Sequence, residues 1–379
     1  MKDITGNPFV VGKYVSPEFF CDREEETSLM KKHLQNGRNM SLISDRRLGK
    51  SGLISHLFAQ DDIRNTYYTI YVDLYATGSL DEFVTAFGNA VYRSVSGHAT
   101  WRDRFFQIIT SLRFGMKLDE LTGAPTFNVG IGEIAEPRLT LEQIFRFLES
   151  ADKPCVVAFD EFQQIALYDQ KNIEALLRTY IQQCTNTLFI FAGSKKHMMA
   201  QMFLSPAKPF YQSTVNMSLE PIPMPTYTAF AQRMFSKGGK TIEANRVERV
   251  YQICRGVTWY MQVMLNEMYV LTPHGTACPE DAVERAMTNV IQIQELFYRE
   301  ILATLPARQR QLLYAIARQK IARNVTSVAF VKSNHLLSSS SVQSALRALR
   351  EKDMITQIGD GLAVYDVFFE QYMLMNSGV

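Results

Sequence analysis

Three short clusters combine residue types that do chemistry on phosphate groups. The first is Ser44-Asp45-Arg46-Arg47-Leu48-Gly49-Lys50-Ser51-Gly52. A small residue can open a tight loop, and a glycine lets backbone N–H groups approach an anion closely. A lysine can reach terminal phosphates, and a hydroxyl can hold Mg²⁺. The stretch fits G-x-x-x-x-G-K-[ST], except that Ser44 stands where the first glycine is usual. A Gly-Lys-Ser turn capping an ordinary helix shares most of this pattern. A second cluster favours the phosphate reading. Val156-Val157-Ala158-Phe159 runs into Asp160-Glu161, a carboxylate pair about 110 residues after Lys50. Asp160 suits a metal-bound water, and Glu161 suits orienting and deprotonating an attacking water. The third cluster is Phe189-Ile190-Phe191-Ala192-Gly193-Ser194. The Ser194 hydroxyl could contact a terminal phosphate or the attacking water; a simple Gly-Ser turn is the alternative.

These residues work together only if the fold gathers them. Apolar runs at 40–43, 66–75, 155–159 and 188–192 read as strands, the third continuous enough to be buried on both faces. Helical spacing predicts helices over 51–58, 80–95, 139–150 and 173–184. Alternating helices and strands make a parallel sheet flanked by helices, whose strand ends share one rim. Ser194, Asp160 and the loop would meet there. A helix is expected over 22–34, with Asp22 as N-cap. Residues 101–116 read as a helix, and 125–134 as a short strand or hairpin. Pro206, Pro209, Pro221, Pro223 and Pro225 mark 205–226 as a domain edge, and 226–295 reads as helical.

Composition narrows the function classes. Hydrophobic residues make 46% and charged residues 21% of the 379-residue chain, so it can bury a large core. A net charge of +2 excludes a uniformly basic nucleic-acid coat, though not a local patch. No run approaches the roughly 20 apolar residues of a membrane span. Residues 1–7 lack the apolar region of a secretory signal. The five cysteines form no CxxC pair, and the six histidines show no metal-ligand spacing. A cytoplasmic protein is expected.

Phe20-Cys21-Asp22-Arg23-Glu24-Glu25-Glu26, the Arg-Arg-x-Gly-Lys-Ser loop, Phe159-Asp160-Glu161-Phe162-Gln163 and Phe191-Ala192-Gly193-Ser194 resemble the AAA+ type P-loop ATPases of the archaeal-ATPase family. That group is related to the STAND signalling NTPases and has bacterial members. Gly256-Val257-Thr258 resembles its Gly-x-Pro lid motif, with Thr258 in the proline position. The resemblance implies an α/β fold: a parallel-sheet core over 1–220, a helical lid over 221–297 and a winged helix over 298–379. It also implies adenine contacts from Val10, Val11 and Arg23. No arginine finger is evident from the sequence. The expected ligands are ATP or ADP with Mg²⁺. Lys50 would neutralise phosphate charge, Ser51 and Asp160 would hold the metal, and Glu161 would activate water.

The C-terminal part carries a local charge. Residues 301–350 hold Arg308, Arg310, Arg318, Lys320, Arg323, Lys332, Arg347 and Arg350 and no acid, a window of +8. Helices are expected over 308–317, 325–334 and 340–350, the last capped by Ser339 or Ser340. A hairpin with a Gly-Asp-Gly turn is expected over 355–365. Three helices and a hairpin make a winged helix-turn-helix. Ser341, Gln343, Ser344, Arg347 and Arg350 would then face a partner, either duplex DNA or a protein. The leading expectation is a nucleotide-driven ATPase switch. The alternative is a nucleotide-holding scaffold or DNA-binding regulator with little hydrolysis.

Overall fold

The computed structural model describes residues 6–12, 14–95, 99–108, 115–118, 125–128 and 136–376. Two compact units are present, one formed by residues 13–221 and the other by 1–12 with 222–379.

The 13–221 unit begins with α1 (Glu24–Gln35), β1 (Met40–Ile43), α2 (Lys50–Ala59), α3 (Asp61–Thr66) and β2 (Tyr68–Asp73). It continues with α4 (Leu80–Val95), α5 (Ala99–Ile108), β3 (Gly115–Leu118), β4 (Pro125–Asn128) and α6 (Pro137–Glu149). Then come β5 (Cys155–Asp160), a 3-10 turn (Phe162–Leu167), α7 (Ile173–Gln183), β6 (Thr187–Gly193), α8 (Lys196–Leu204) and β7 (Val215–Met217). The main sheet has the order β2-β5-β6-β1-β7. Every neighbouring pair in it is parallel. All six residues of β5 are buried, as its uninterrupted apolar run requires. Phe159, Phe189 and Phe191 from β5 and β6 pack with Phe162, Phe203 and Phe210 into an aromatic core. That core fixes the strand ends from beneath.

Several local expectations change. The first helix begins at Glu24, two residues late, because Asp22 and Arg23 both take left-handed backbone with φ of 59° and 71°. Arg23 is drawn into bonds elsewhere, and Asp22 makes no cap. Of the expected 101–116 helix, residues 101–108 lie in α5, whereas Gly115 and Met116 lie in β3, antiparallel to β4; residues 109–114 lie outside the described residues. Glycine is a poor helix former, and cross-strand pairing gives its backbone partners. The 125–134 expectation holds as strand over 125–128; residues 129–134 lie outside the described residues. β7 sits within the proline-punctuated stretch and carries no apolar run. A three-residue strand suffices at a sheet edge, where among the described residues β1 is its one paired neighbour.

The other unit is helical at first: α9 (Met224–Lys237), α10 (Ala244–Cys254), α11 (Thr258–Leu271) and α12 (Ala282–Thr304). Phe9 packs against Phe230, Phe235 and Tyr269. Asn7 Nδ2 donates to the Asn266 carbonyl, and Asn266 Nδ2 donates to the Phe9 carbonyl. The 6–12 segment therefore belongs to this unit. Thr258 is the first residue of α11, and Val257 before it is extended. Proline is well accommodated at that helix position, which accounts for a motif that usually has one there.

A winged helix follows: α13 (Ala307–Gln319), α14 (Val328–Ser333), α15 (Ser339–Glu351), the antiparallel pair β8 (Ile355–Ile358) and β9 (Gly361–Val364), and α16 (Val367–Met375). Ala322 bridges Leu362 and gives the wing a third, minimal pairing. The cap of α15 is Ser338, whose Oγ accepts from the Ser341 N–H at 3.2 Å, not Ser339 or Ser340. Ser339 and Ser340 are already helical. α14 is shorter than expected because Ser327 caps it at Val328. Among the described residues, no helix is long and apolar enough to cross a membrane.

Candidate functional site

The rim at the C-terminal ends of β1, β6 and β5 gathers the three sequence clusters. The β1–α2 loop turns through two left-handed residues, Arg47 (φ 68°) and Gly49 (φ 98°). Gly49 meets no obstacle around a would-be Cβ, so its glycine is required by backbone angle, not by space. α2 then starts at Lys50 and adds its free N–H groups and positive dipole end to an anion site.

Lys50 is buried, and its Nζ donates to the carbonyls of Ser44 at 2.9 Å and Asp45 at 2.8 Å. Burial lowers its pKa from the ordinary value, while Glu161, Asp160 and Asp45 pull it back up. The amine is thus held at the loop by backbone oxygens and surrounded by carboxylates. Ser44 is fully buried. Asp45 is exposed and pairs with Lys196 at 2.7 Å. Leu48 is buried, and Gly52 faces the Phe20 ring.

Ser51 Oγ donates to Asp160 Oδ2 at 2.5 Å, joining α2 to the end of β5. The Glu161 N–H donates to Asp160 Oδ1 at 3.0 Å. Glu161 itself is left-handed (φ 54°), which turns its side chain away from the strand direction. Its Oε2 accepts from Ser194 Oγ at 2.7 Å. Arg46 Nε in turn donates to Ser194 Oγ at 3.4 Å. Because β6 lies between β1 and β5, Ser194 links the loop to the acidic pair, which the sequence could only place on the same rim.

The adenine-contact candidates are placed separately. Arg23 is buried and donates to Leu48 O at 3.3 Å and Glu220 O at 2.7 Å, and it pairs with Glu26. Val10 is half-buried and Val11 is 44% exposed, both in the unit formed with 222–379.

Comparison with known proteins bears on the fold. The Walker-type ATPase PABY2304 of Pyrococcus abyssi superposes with a TM-score of 0.67 at 18% identity, covering 97% of this chain and 99% of that one. The ORC2 protein of Aeropyrum pernix in its ADPNP-ADP complexes gives 0.60 at 12% identity over 98% of both chains. The ORC1 protein of the same organism, solved in complex with DNA, gives 0.51 at 13% identity over 95% and 94%. Residues 296–375 match a family model described as "Probable winged helix domain". No curated protein matches by sequence. The chain has the Walker-type P-loop ATPase fold, with a winged helix at its C-terminal end.

Two rim residues of this P-loop fold were not singled out for a role by sequence reasoning. Tyr71 on β2 donates its hydroxyl to Asp160 Oδ2, the oxygen that Ser51 also holds. Burial pushes the phenol far above its ordinary pKa, with Asp160 adding to the effect, so it remains a donor. Gln163 donates Nε2 to Glu161 Oε2. Tyr71 reads in sequence as one more aromatic in a strand, and only its place in the sheet reveals the bond. Gln163 could have been found: it stands two residues after Glu161 in the Asp-Glu-Phe-Gln run.

Proposed function

We propose that this chain is an ATP-binding, Mg²⁺-dependent ATPase of the AAA+/STAND type, a switch that presents its winged helix to duplex DNA or a protein partner. The working division is a core over 1–220, less residues 1–12, which group with the other unit, a lid over 221–297 and a winged helix over 298–379. One observation carries the reading. The loop hydroxyl of Ser51 bonds Asp160, while Ser194 bonds Glu161, on a rim where a helix N-terminus and Lys50 supply positive charge.

Residues 44–52 would wrap the phosphates, with Lys50 exchanging its carbonyl partners for phosphate oxygens. The Ser51 hydroxyl and Asp160 carboxylate are hard oxygen donors facing each other, the type Mg²⁺ accepts beside phosphate and water. Ser51 and Asp160 would hold the ion, which when bound neutralises charge on the terminal phosphates. Glu161 would orient and deprotonate water, and Ser194 would contact the terminal phosphate or that water. Val10 and Val11 are proposed at the adenine by chain position. Arg23 would reach the base only by giving up its bonds to Leu48 and Glu220.

The winged helix offers a basic surface, and a fold neighbour, ORC1, was solved with DNA. Of the expected face, Gln343, Ser344, Arg347 and Arg350 lie exposed on α15 and Ser341 is half-buried; Ser340 beside it is exposed. Such a face suits phosphates and base edges. A scaffold reading with negligible turnover is favoured by Ser44 in place of the first glycine. Steady-state phosphate release with and without duplex DNA separates the two readings. Glu161→Gln is expected to bind ATP like the parent and lose turnover; hydrolysis at the parent's rate would remove Glu161 as the base.

A further inference from the structure

Gln163 is 1% exposed, and its amide is satisfied at one end only. Nε2 donates to Glu161 Oε2, whereas Oε1 is buried with no hydrogen-bond partner. An unpaired buried acceptor is destabilising, because it has lost water without gaining a donor. Turning the amide over would set its oxygen against a carboxylate, so electrostatics fixes the donor end toward Glu161. The neighbouring strand leaves room for this arrangement. A Cβ on Gly193 would lie 2.5 Å from Gln163 Oε1 and 2.4 Å from Met199 Sδ.

Glu161 has a matching asymmetry. Gln163 and Ser194 both donate to Oε2. Oε1 accepts no hydrogen bond from any described residue. The backbone is also pinned, since the Glu161 N–H bonds Asp160 and its carbonyl accepts from the Gln164 N–H at 2.9 Å. One carboxylate oxygen is therefore clamped and the other left open.

We infer that Gln163 is a positioning residue: with Ser194 it clamps Oε2 of Glu161, so that Oε1 takes the proton of the attacking water. This rests on the proposed hydrolysis. The water oxygen bonds the terminal phosphorus, its proton passes to Oε1, and the bond to the bridging oxygen breaks, leaving on ADP. A base held by two donors loses little time in unproductive rotamers, and a small misplacement of such a group is costly in rate.

Gln163→Leu tests this, because it keeps the volume and deletes the donor. The expected result is an ATP Kd and KM within about twofold of the parent and a kcat about 10–100-fold lower. Its melting temperature should be equal or higher, since an unpaired acceptor is gone. In a Glu161→Gln background, the same change should lower the residual single-turnover rate no further, because the two residues act as one unit. Parent-like kcat, or an equal loss in both backgrounds, overturns the inference. Gln163→Met, unbranched and of similar length, is read by the same criteria should Gln163→Leu fold poorly. A parent without phosphate release, or an active Glu161→Gln, fails the hydrolysis reading and takes this inference with it. An inactive Glu161→Gln beside a fully active Gln163→Leu fails the inference alone.

Discussion

The sheet rim and the winged helix both carry polar chemistry, and they hold it in opposite ways. On the rim, Lys50, Asp160, Gln163 and Ser194 are buried and bonded to one another or to backbone. In the winged helix, all eight basic side chains of residues 301–350 are exposed. Two of them make solvent-exposed pairs, Arg323 with Asp360 and Arg347 with Glu351. Pairs of that kind contribute little. Internal bonding sets the rim's geometry before any ligand arrives. Exposed charge leaves geometry to the partner. Substitutions on the rim should therefore be steep, and those on the winged helix graded and salt-dependent.

The largest effect should come from Lys50→Ala. Losing a buried charge-assisted donor should weaken ATP binding on the order of a hundredfold. Calorimetry with Mg²⁺ checks this, and a Kd within threefold of the parent would detach the rim from nucleotide binding.

The second test concerns an exception within the C-terminal unit. Glu370 is 1% exposed and pairs with Arg255 Nη2 at 2.5 Å, while Arg255 Nη1 donates to Val364 O at 2.9 Å. Burial pushes the Glu370 carboxyl up to about 7, against the pull of Arg255 and Lys320. The folded state therefore binds this proton more tightly than the unfolded chain. Stability should fall as pH rises from the ordinary carboxylate range through about 7 and level off above. The full span is on the order of 3 kcal/mol. Glu370→Gln should flatten that slope in melting temperature between about pH 5 and 8. Equal slopes in parent and variant would clear Glu370 of the effect.

Gly193→Ala comes next. The added methyl would meet Met199 Sδ and Gln163 Oε1 inside normal contact distance, an overpacking cost of about 1–3 kcal/mol. Denaturant unfolding reads it, and a neutral result would mean the rim yields more easily than its burial implies. The smallest effects belong to Arg347→Ala and Arg350→Ala. If α15 lies on DNA, each should reduce the slope of log affinity against log salt by about one. Unchanged slopes, or no binding to any duplex at about 50 mM salt, would move the partner from DNA to protein.

The difference between the two regions also governs what could be read in advance. The helix over 80–95 and the buried strand from Cys155 emerge because one short window contains their whole pattern. The start of α1 does not, since Arg23 is engaged with Leu48 and Glu220, the latter 197 residues away. Ser338 caps α15 in place of the expected Ser339 or Ser340, where four successive serines offered several equivalent choices.

The sequence by itself determined the phosphate loop, the acidic pair, the alternation that makes a parallel sheet, and the basic window. These depend on spacing within a few residues or on local composition. Only tertiary structure decided that β6 lies between the loop strand and the acidic strand, that Tyr71 shares Asp160 with Ser51, and that Gln163 and Ser194 clamp one oxygen of Glu161. Strand order is a choice among pairings with nearly the same apolar pattern. A bond between side chains 89 residues apart, as between Tyr71 and Asp160, leaves no periodicity in the chain to announce it.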